Sequence, residues 1–195
     1  MLLGFLGVIL FSLTLPMNRL IVPYFDPIFI GMGRSVVAAM VAIPILVFFK
    51  QSLPTLRQIK LLLLTSIGII AGFPVFTALA MQTVPASHGS VVIGLLPLMT
   101  AIFAVVLSNE RPSVGFWLAA GVGAALVVTY SLLQGGMQIH IGDIYLVIAS
   151  ILGAFGYAMS GIIAKELGGW QVICWVNVFG LPYTLIVAWF LKPDS

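Results

Sequence analysis

Long apolar stretches separated by short polar connections run along the whole of this 195-residue chain. The longest stretch without a formal charge lies between Lys60 and Glu110 and contains 49 residues. A single helix of that length would extend about 73 Å, more than twice the thickness of a hydrocarbon core of about 30 Å. The stretch must therefore turn back on itself, and the polar residues 82–88 (QTVPASH) mark the turn.

The same reasoning predicts seven membrane-spanning helices, each of about 20 residues. A strand of a membrane barrel is about half as long and alternates apolar with polar residues, so helices are favoured. Proline, glycine and polar residues punctuate the connections, as is typical of loops. The predicted spans lie near residues 2–22, 28–49, 59–81, 87–108, 114–133, 143–164 and 171–191.

The composition excludes an ordinary soluble fold. Apolar residues make up 62% of the chain and charged residues 7%, against roughly 25% charged residues in globular proteins. We therefore predict an all-α, polytopic membrane helix bundle surrounded by the lipid bilayer. The net charge of +3 does not indicate a nucleic-acid partner, and no cofactor is expected. Cys174 is the single cysteine, which excludes an internal disulfide bond.

Basic residues near the helix ends predict the orientation, because they concentrate on the cytoplasmic side. With the N-terminus inside, the inner loops hold five basic residues and the outer side holds two, Arg19 and Lys192. We therefore expect a multi-pass protein of the inner (cytoplasmic) membrane with a cytoplasmic N-terminus and no cleavable signal peptide. The five inner residues are Lys50, Arg57, Lys60, Arg111 and Lys165.

The layout of the chain suggests an internal repeat. When the sequence is compared with itself at a shift of 142 residues, few residues match. The same order of features nevertheless recurs: a span, a short loop, a second span and then a basic residue. In this register residues 1–133 form a unit of five helices, residues 134–142 form a linker loop, and residues 143–195 supply the first two helices of a second unit. Duplicated bundles of this kind occur in many membrane transporters.

Residues 77–128 carry the most distinctive combination of features. The third helix ends in small residues, Ala-Ser opens the fourth, Leu-Pro-Leu lies within the fourth, and a Gly-rich fifth helix follows Glu110. Arg34 lies early in the second helix. With these features the chain resembles the EamA-type repeat of the drug/metabolite transporter superfamily.

The resemblance implies a ten-helix permease of two inverted five-helix repeats, with both termini in the cytoplasm. It implies a secondary transporter that exports a small metabolite or amino-acid-like solute by alternating access, around a cavity walled by the first, third, fourth and sixth helices. The chain lacks the last three helices of that design. We expect a fragment of a ten-helix protein; the alternative is completion by a partner, and a homodimer is also considered.

Arg34 is the clearest candidate among the intramembrane residues. An arginine at the centre of a membrane helix costs about 2.5–3.5 kcal/mol on insertion scales, and snorkelling reduces that cost near a helix end. One interpretation is a fixed positive charge at the outer mouth of a cavity, attracting a carboxylate or phosphate of the solute. The other is a topological arginine that pairs with Asp26 or with backbone carbonyl groups.

Polar residues and prolines in the other spans extend the predicted substrate pathway. Pro74 and Pro97 interrupt the backbone hydrogen bonds of the third and fourth helices, which suits a binding site near the midplane. A histidine at the start of the fourth helix would couple proton movement to transport. For all of these residues the alternative is an interfacial or packing role. With Arg34, the pathway residues are Thr14, Asn18, Arg19, Phe76, Thr77, Ser87, His88, Ser90, Pro97 and Tyr157.

Helix ends supply three further predictions. Glu110 and Arg111 are interpreted as a gate at the inner surface, with loop solvation as the alternative. Asp143 directly precedes an apolar run and is predicted to cap the sixth helix. The small residues Gly68 and Gly72 predict a close approach between helices.

Enzyme functions find little support in the sequence. The strings AMSG at 158–161 and HIGD at 140–143 each lack the first glycine that intramembrane proteases carry, and neither a metal cluster nor a phosphate-binding loop is present. The sequence therefore predicts a permease rather than an enzyme. The rival hypothesis is a non-transporting integral membrane assembly or signalling subunit.

Overall fold

The computed structural model describes residues 2–108, 111–134 and 140–191, and these form ten α-helical segments and one π-helical segment without any strand. The π-helical segment, Ile67–Gly72, joins the fourth α-helix to the fifth. The α-helices are α1 Leu2–Ser12, α2 Thr14–Ile21, α3 Pro27–Phe48, α4 Leu56–Ser66, α5 Phe73–Ala80, α6 Ala86–Ile93, α7 Leu96–Ser108, α8 Val114–Gln134, α9 Ile141–Leu167 and α10 Gly169–Phe190.

Consecutive segments continue one another, so the described residues form seven rods, one for each predicted span. The first rod joins α1 to α2, the third joins α4 to α5 through the π-helical segment, and the fourth joins α6 to α7. Five rods are long and apolar enough to cross a membrane: α3, Leu56–Ala80, Ala86–Ser108, α9 and α10. Two shorter apolar helices cover Phe5–Ile21 and Val114–Tyr130. The prediction of an all-α membrane bundle is confirmed.

The sixth rod, α9, lies at the centre of the bundle, because α4, α5, α6, α7 and α10 all pack against it. Its approach to the third rod is close. A Cβ on Gly68 would lie 2.5 Å from the carbonyl oxygen of Leu152, and one on Gly156 would lie 2.6 Å from Cγ1 of Ile69. Glycines permit this approach between backbones, which confirms the close packing predicted at Gly68.

The seventh rod, α10, leaves α9 after a single residue and packs mainly along α3. The connecting residue, Gly168, has a φ of 93°, which favours glycine. The ring centroids of Phe49, after α3, and Trp170, at the start of α10, are 5.3 Å apart, so the two helices run antiparallel. Met32, Val36 and Ala188 form the buried core between them.

Side-chain caps fix the starts of α3 and α9. Asp26 Oδ1 accepts hydrogen bonds from the backbone N–H groups of Ile28 and Phe29 at 2.8 and 3.1 Å. In α9 the N-cap residue is His140, and Asp143 lies three positions later, where its carboxylate accepts a bond from the His140 N–H at 2.8 Å. Asp143 therefore supports the helix start from inside its first turn, as in a capping box, and the predicted N-cap position is corrected by three residues.

The bundle has two ends, which we name after residues found there. At the His88 face α5 ends and both α6 and α9 begin. At the Arg57 face α4 begins and α9 ends. The five basic residues predicted to share one side all lie at rod ends on the Arg57 face: Lys50, Arg57, Lys60, Arg111 and Lys165.

Candidate functional site

Two of the rods are interrupted near their middles. The first rod breaks at Leu13, between α1 and α2, and the fourth breaks at residues 94–95, between α6 and α7. At the second break the Leu95 N–H bonds three residues back to Val92, and the Gly94 N–H is shared between the carbonyl oxygens three and four residues back, as in a tightened helical turn. Pro16 and Pro97 follow these breaks, and neither has an N–H group to donate to the preceding turn of its helix.

Both breaks border the same cavity, which has a volume of about 310 Å³. The carbonyl groups four residues before the two prolines belong to Ser12 and Ile93, and both residues lie in the cavity wall. Ser12, Thr14 and Ser90 add hydroxyl groups to a wall whose other side chains are apolar. In a membrane, backbone groups freed in this way are tolerated where they line a cavity or are bonded by neighbours.

A second cavity, of about 590 Å³, continues from the first towards the Arg57 face. The two cavities share Phe11, Leu96 and Pro97 as wall residues. The wall of the larger one reaches Pro112, before α8, and includes Tyr157 on α9. Together the cavities form a path that begins beside the helix breaks and extends towards the Arg57 face.

Arg34 lies at mid-depth in the bundle. The next residue, Ser35, bonds to the carbonyl oxygen of Ile70 in the π-helical segment, which is the middle of the third rod. Tyr157 lies at the same level, because its neighbour Gly156 packs against that segment. The structure therefore places Arg34 deeper than its position near the start of α3 suggests.

The Arg34 side chain is exposed, and it interacts electrostatically with Tyr157, a wall residue of the larger cavity. The carboxylate of Asp26 accepts two backbone N–H groups at the start of α3 instead. None of the ion pairs formed among the described residues includes Arg34. A cation at this depth without a carboxylate partner is suited to an anionic group of a solute.

The interruption of the third rod is bonded by a neighbouring helix. Pro74 has no N–H to offer the carbonyl of Ile70, four residues earlier. The hydroxyl of Ser35 on α3 donates to that carbonyl oxygen at 3.1 Å. The third rod is therefore fastened to α3 at its weak point, whereas the breaks in the first and fourth rods border the cavity.

Packing closes the cavities towards the His88 face. Gly89 on α6 lies against Leu15, Met81 and Leu146, which belong to three other parts of the bundle. A Cβ on Gly89 would lie 2.6 Å from Cε of Met81, and all three neighbours are buried. The four segments therefore meet in van der Waals contact, and an added methyl group would require the end of the Met81 side chain to shift.

Two polar contacts reinforce this closure. His88 Nε2 and Asp143 Oδ1 are 2.6 Å apart, and the two side chains are 11% and 20% exposed. Arg19 Nη1 donates to the carbonyl oxygen of Met81, which ties α2 to the end of α5. The first contact joins α6 to α9, so each of the four segments at this face has a polar link.

At the Arg57 face a single carboxylate links α9 to α4. Glu166 accepts a hydrogen bond from Gln58 Nε2 at 2.9 Å and lies 3.6 Å from Arg57 Nη1. The predicted gate of Glu110 and Arg111 stays a prediction, because Glu110 lies outside the described residues; Arg111 is exposed. Glu166 is the residue that the sequence interpretation missed at this face.

The structure gathers six of the predicted pathway residues into two neighbouring places. Thr14, Ser90, Pro97 and Tyr157 line the cavities. Arg19 and His88 take part in the closure of the His88 face.

The other predicted pathway residues apart from Arg34 have local partners or lie away from the cavities. Thr77 is fully buried and donates to the carbonyl oxygens of Phe73 and Pro74. Phe76 packs against Tyr145, with ring centroids 6.0 Å apart. Ser87 is exposed, and Asn18 is 5% exposed with no partner for its Nδ2 among the described residues.

Comparison with known proteins establishes the family. The model of the EamA-like transporter family matches residues 1–132. The chain belongs to this family. This EamA-like protein is 42% identical over 192 residues to the uncharacterized transporter YdeK of Bacillus subtilis (strain 168). The alignment covers 98% of the chain and 67% of YdeK, and no solved structure matches the chain.

Membership identifies a multi-pass membrane transporter, as the resemblance of residues 77–128 implied. The family is one of transporters rather than of enzymes. Within the described part of the chain, no group of three or more His, Cys, Asp or Glu residues could hold a metal ion.

Proposed function

We propose that this EamA-like transporter is a permease that exports a small metabolite or amino-acid-like solute by alternating access. The observation that carries the proposal is the pair of interrupted rods that meet at one cavity, between α1 and α2 and between α6 and α7. Interrupted helices at mid-depth supply backbone polar groups to solutes in many transporters. The cavity continues towards one face and is closed at the other, as alternating access requires.

Arg34 is proposed to bind the anionic group of the solute. Its side chain lies beside Tyr157, which lines the larger cavity, and it has no carboxylate partner among the described residues. A solute carboxylate or phosphate there would compensate a charge that is costly in the membrane interior. The apolar remainder of the cavity wall suits a solute with a small hydrophobic part.

The transporter is further proposed to work as ten helices in two inverted repeats, with residues 1–133 as the first repeat, 134–142 as the linker and 143–195 as the start of the second. The shift of 142 residues carries α3, Pro27–Phe48, onto α10, Gly169–Phe190, and these helices run antiparallel. YdeK is longer than the part that this chain matches. A second chain that completes the bundle, for example in a homodimer, is the alternative arrangement.

The proposed location is the cytoplasmic membrane of a bacterium, with the Arg57 face and the N-terminus in the cytoplasm. The five basic residues at the Arg57 face support this orientation, because cytoplasmic loops carry an excess of lysine and arginine. In that orientation the larger cavity extends towards the cytoplasm, where an exporter takes up its solute.

Efflux from proteoliposomes tests the function. Vesicles containing the product of the complete reading frame are loaded with a panel of radiolabelled amino acids and small carboxylates, and release is compared with that from empty vesicles. We expect release of at least one anionic or zwitterionic solute. Arg34→Gln should abolish that release and Arg34→Lys should retain part of it, whereas Lys60→Gln, which removes an exposed charge at the Arg57 face, should leave it unchanged.

Two results would contradict the proposal. If no solute moves while the protein copurifies stoichiometrically with another membrane protein, the chain is a non-transporting assembly or signalling subunit. If Arg34→Gln and Lys60→Gln lower release equally, Arg34 does not bind the solute.

A further inference from the structure

The segment α6, Ala86–Ile93, is bounded by a backbone discontinuity at each end. It begins directly after Pro85 and ends at the break at residues 94–95. Beyond that break α7 packs along α9, so the second half of the fourth rod is held by the centre of the bundle. Residues at the ends of helical elements are where hinge movements are absorbed, so α6 is a segment that can turn relative to α7.

Movement of α6 would uncover the smaller cavity. Ser90 and Ile93 of α6 form part of the cavity wall. Gly89 lies against Leu15, Met81 and Leu146, the buried residues that close the His88 face. If α6 turns away about the break, this packing opens and the cavity becomes continuous with the His88 face.

One polar contact joins the free end of α6 to the centre of the bundle. His88, in the first turn of α6, lies 2.6 Å from the carboxylate of Asp143 in the first turn of α9. Asp143 is oriented independently of His88, because its other oxygen accepts the backbone N–H of His140 at 2.8 Å. A short bond between two largely buried groups is stronger than the same bond in water.

We infer that α6 is the gate of the cavity at the His88 face and that the bond between His88 and Asp143 is the latch that holds it shut. The inference deepens the proposed alternating access, because it names the segment that moves and the bond that must break. His140 and Arg19 are among the other charged or titratable groups at this face. The ring of His140 is 3.9 Å from Asp143 on the side away from His88, and Arg19 is bonded to the carbonyl of Met81.

Side-specific cysteine labelling tests the gate. Cys174→Ala removes the single native cysteine, and Thr14→Cys places a reporter in the cavity wall on α2, outside the gate. A membrane-impermeant thiol reagent is applied to either side of membrane vesicles containing the full-length protein. Control cysteines at the exposed loop residues Tyr24, at the His88 face, and Leu53, at the Arg57 face, establish which side each reagent reaches.

In this background His88→Ala should raise labelling of the reporter from the His88 face about tenfold, the population change that loss of one charge-assisted hydrogen bond produces. Gln82→Ala changes an exposed residue of the turn before α6 and should have no effect. Asp143→Asn can keep the bond to the His140 backbone while it removes the negative charge. It should also raise the labelling rate of the reporter from the His88 face. Combining His88→Ala with Asp143→Asn should open the gate no further than the stronger single variant, because both remove the same bond.

The inference is overturned if His88→Ala and Asp143→Asn leave labelling from the His88 face unchanged. It is also overturned if they raise labelling equally from both faces, since that result indicates a loosened bundle rather than an opened gate. The measurement requires no solute. A protein that labels as expected but transports nothing would therefore refute the proposed function and leave the gate intact.

Discussion

Removing the Ser35 hydroxyl should destabilise the bundle, because a backbone carbonyl beside a proline would then lose its donor on α3. Ser35 Oγ lies 3.1 Å from the carbonyl oxygen of Ile70, and the Ser35 side chain is buried. Pro74 lacks the N–H that would otherwise serve this carbonyl from within the helix. In Ser35→Ala the carbonyl would lose the donor that α3 supplies.

The expected cost follows from what membrane helices usually gain from such bonds. A hydrogen bond between membrane helices contributes about 0.6 kcal/mol on average and about 1.7 kcal/mol at most. A buried acceptor that is left unsatisfied costs about 1–3 kcal/mol. Because Pro74 cannot donate to the Ile70 carbonyl, we expect Ser35→Ala to lower the free energy of unfolding by about 1–2 kcal/mol.

A double-mutant cycle with Pro74→Ala measures this effect. Alanine at position 74 restores an N–H that can bond to Ile70, so in that background Ser35→Ala should cost about 0.5 kcal/mol or less. Unfolding in mixed detergent micelles, followed by tryptophan fluorescence as dodecyl sulfate is added, gives the four free energies. Ser90→Ala is a matched control, because the Ser90 hydroxyl bonds within its own helix to Ala86 at 2.8 Å.

Equal costs of Ser35→Ala in the two backgrounds would refute the reasoning. Such a result would mean that the serine stabilises α3 by its size or its bond to its own helix, rather than by bonding the carbonyl that Pro74 leaves free.

Three further predictions concern the packing and the ends of the bundle. Gly68→Ala should lower the Tm in detergent and the free energy of unfolding by about 1–3 kcal/mol, because its Cβ would lie 2.5 Å from a backbone oxygen of α9. Gly33→Ala is the control: its Cβ would meet nothing within 4 Å, so the Tm should be unchanged or slightly raised. Gly168→Ala forces a side chain into a backbone region at φ 93° and ψ 150° that is almost reserved for glycine, at a cost of about 1–3 kcal/mol; an unchanged Tm would contradict this. Glu166→Gln should lower the free energy of unfolding by no more than about 1 kcal/mol, since the partner Arg57 is 76% exposed. The difference in stability between this variant and the unchanged protein should shrink as salt is added, because salt screens exposed charges. A difference that grows with salt would contradict a screened surface ion pair.

The positions of the spans could be predicted because hydrophobic length is a property of consecutive residues. The uncharged stretch before Glu110 was too long for one crossing, and the structure ends α5 at Ala80 and begins α6 at Ala86, around the predicted turn. The interruptions at Pro74 and Pro97 follow from the missing N–H of proline, which needs no knowledge of the fold.

The partners of the polar side chains could not be predicted in the same way. His88 bonds to a residue 55 positions away and Gln58 to one 108 positions away, and nothing local in the sequence indicates either pairing. The partners of the backbone carbonyl groups freed by Pro74 and Pro97 also depend on packing between helices and could not be predicted. A serine on α3 reaches the carbonyl freed by Pro74, whereas the one freed by Pro97 borders a cavity. The depth of Arg34 likewise depends on how α3 lies against the third rod.

The pairing of α3 with α10 has a consequence for how the protein is made. On α3 the residues Met32 and Val36, which pack with Ala188, enter the bilayer long before α10 leaves the ribosome. Acyl chains must cover them in the meantime, and they can do so because this surface is apolar. When α10 arrives it displaces lipid rather than water, so close fit between the side chains must supply the attraction. A helix synthesised late thereby fastens one synthesised early.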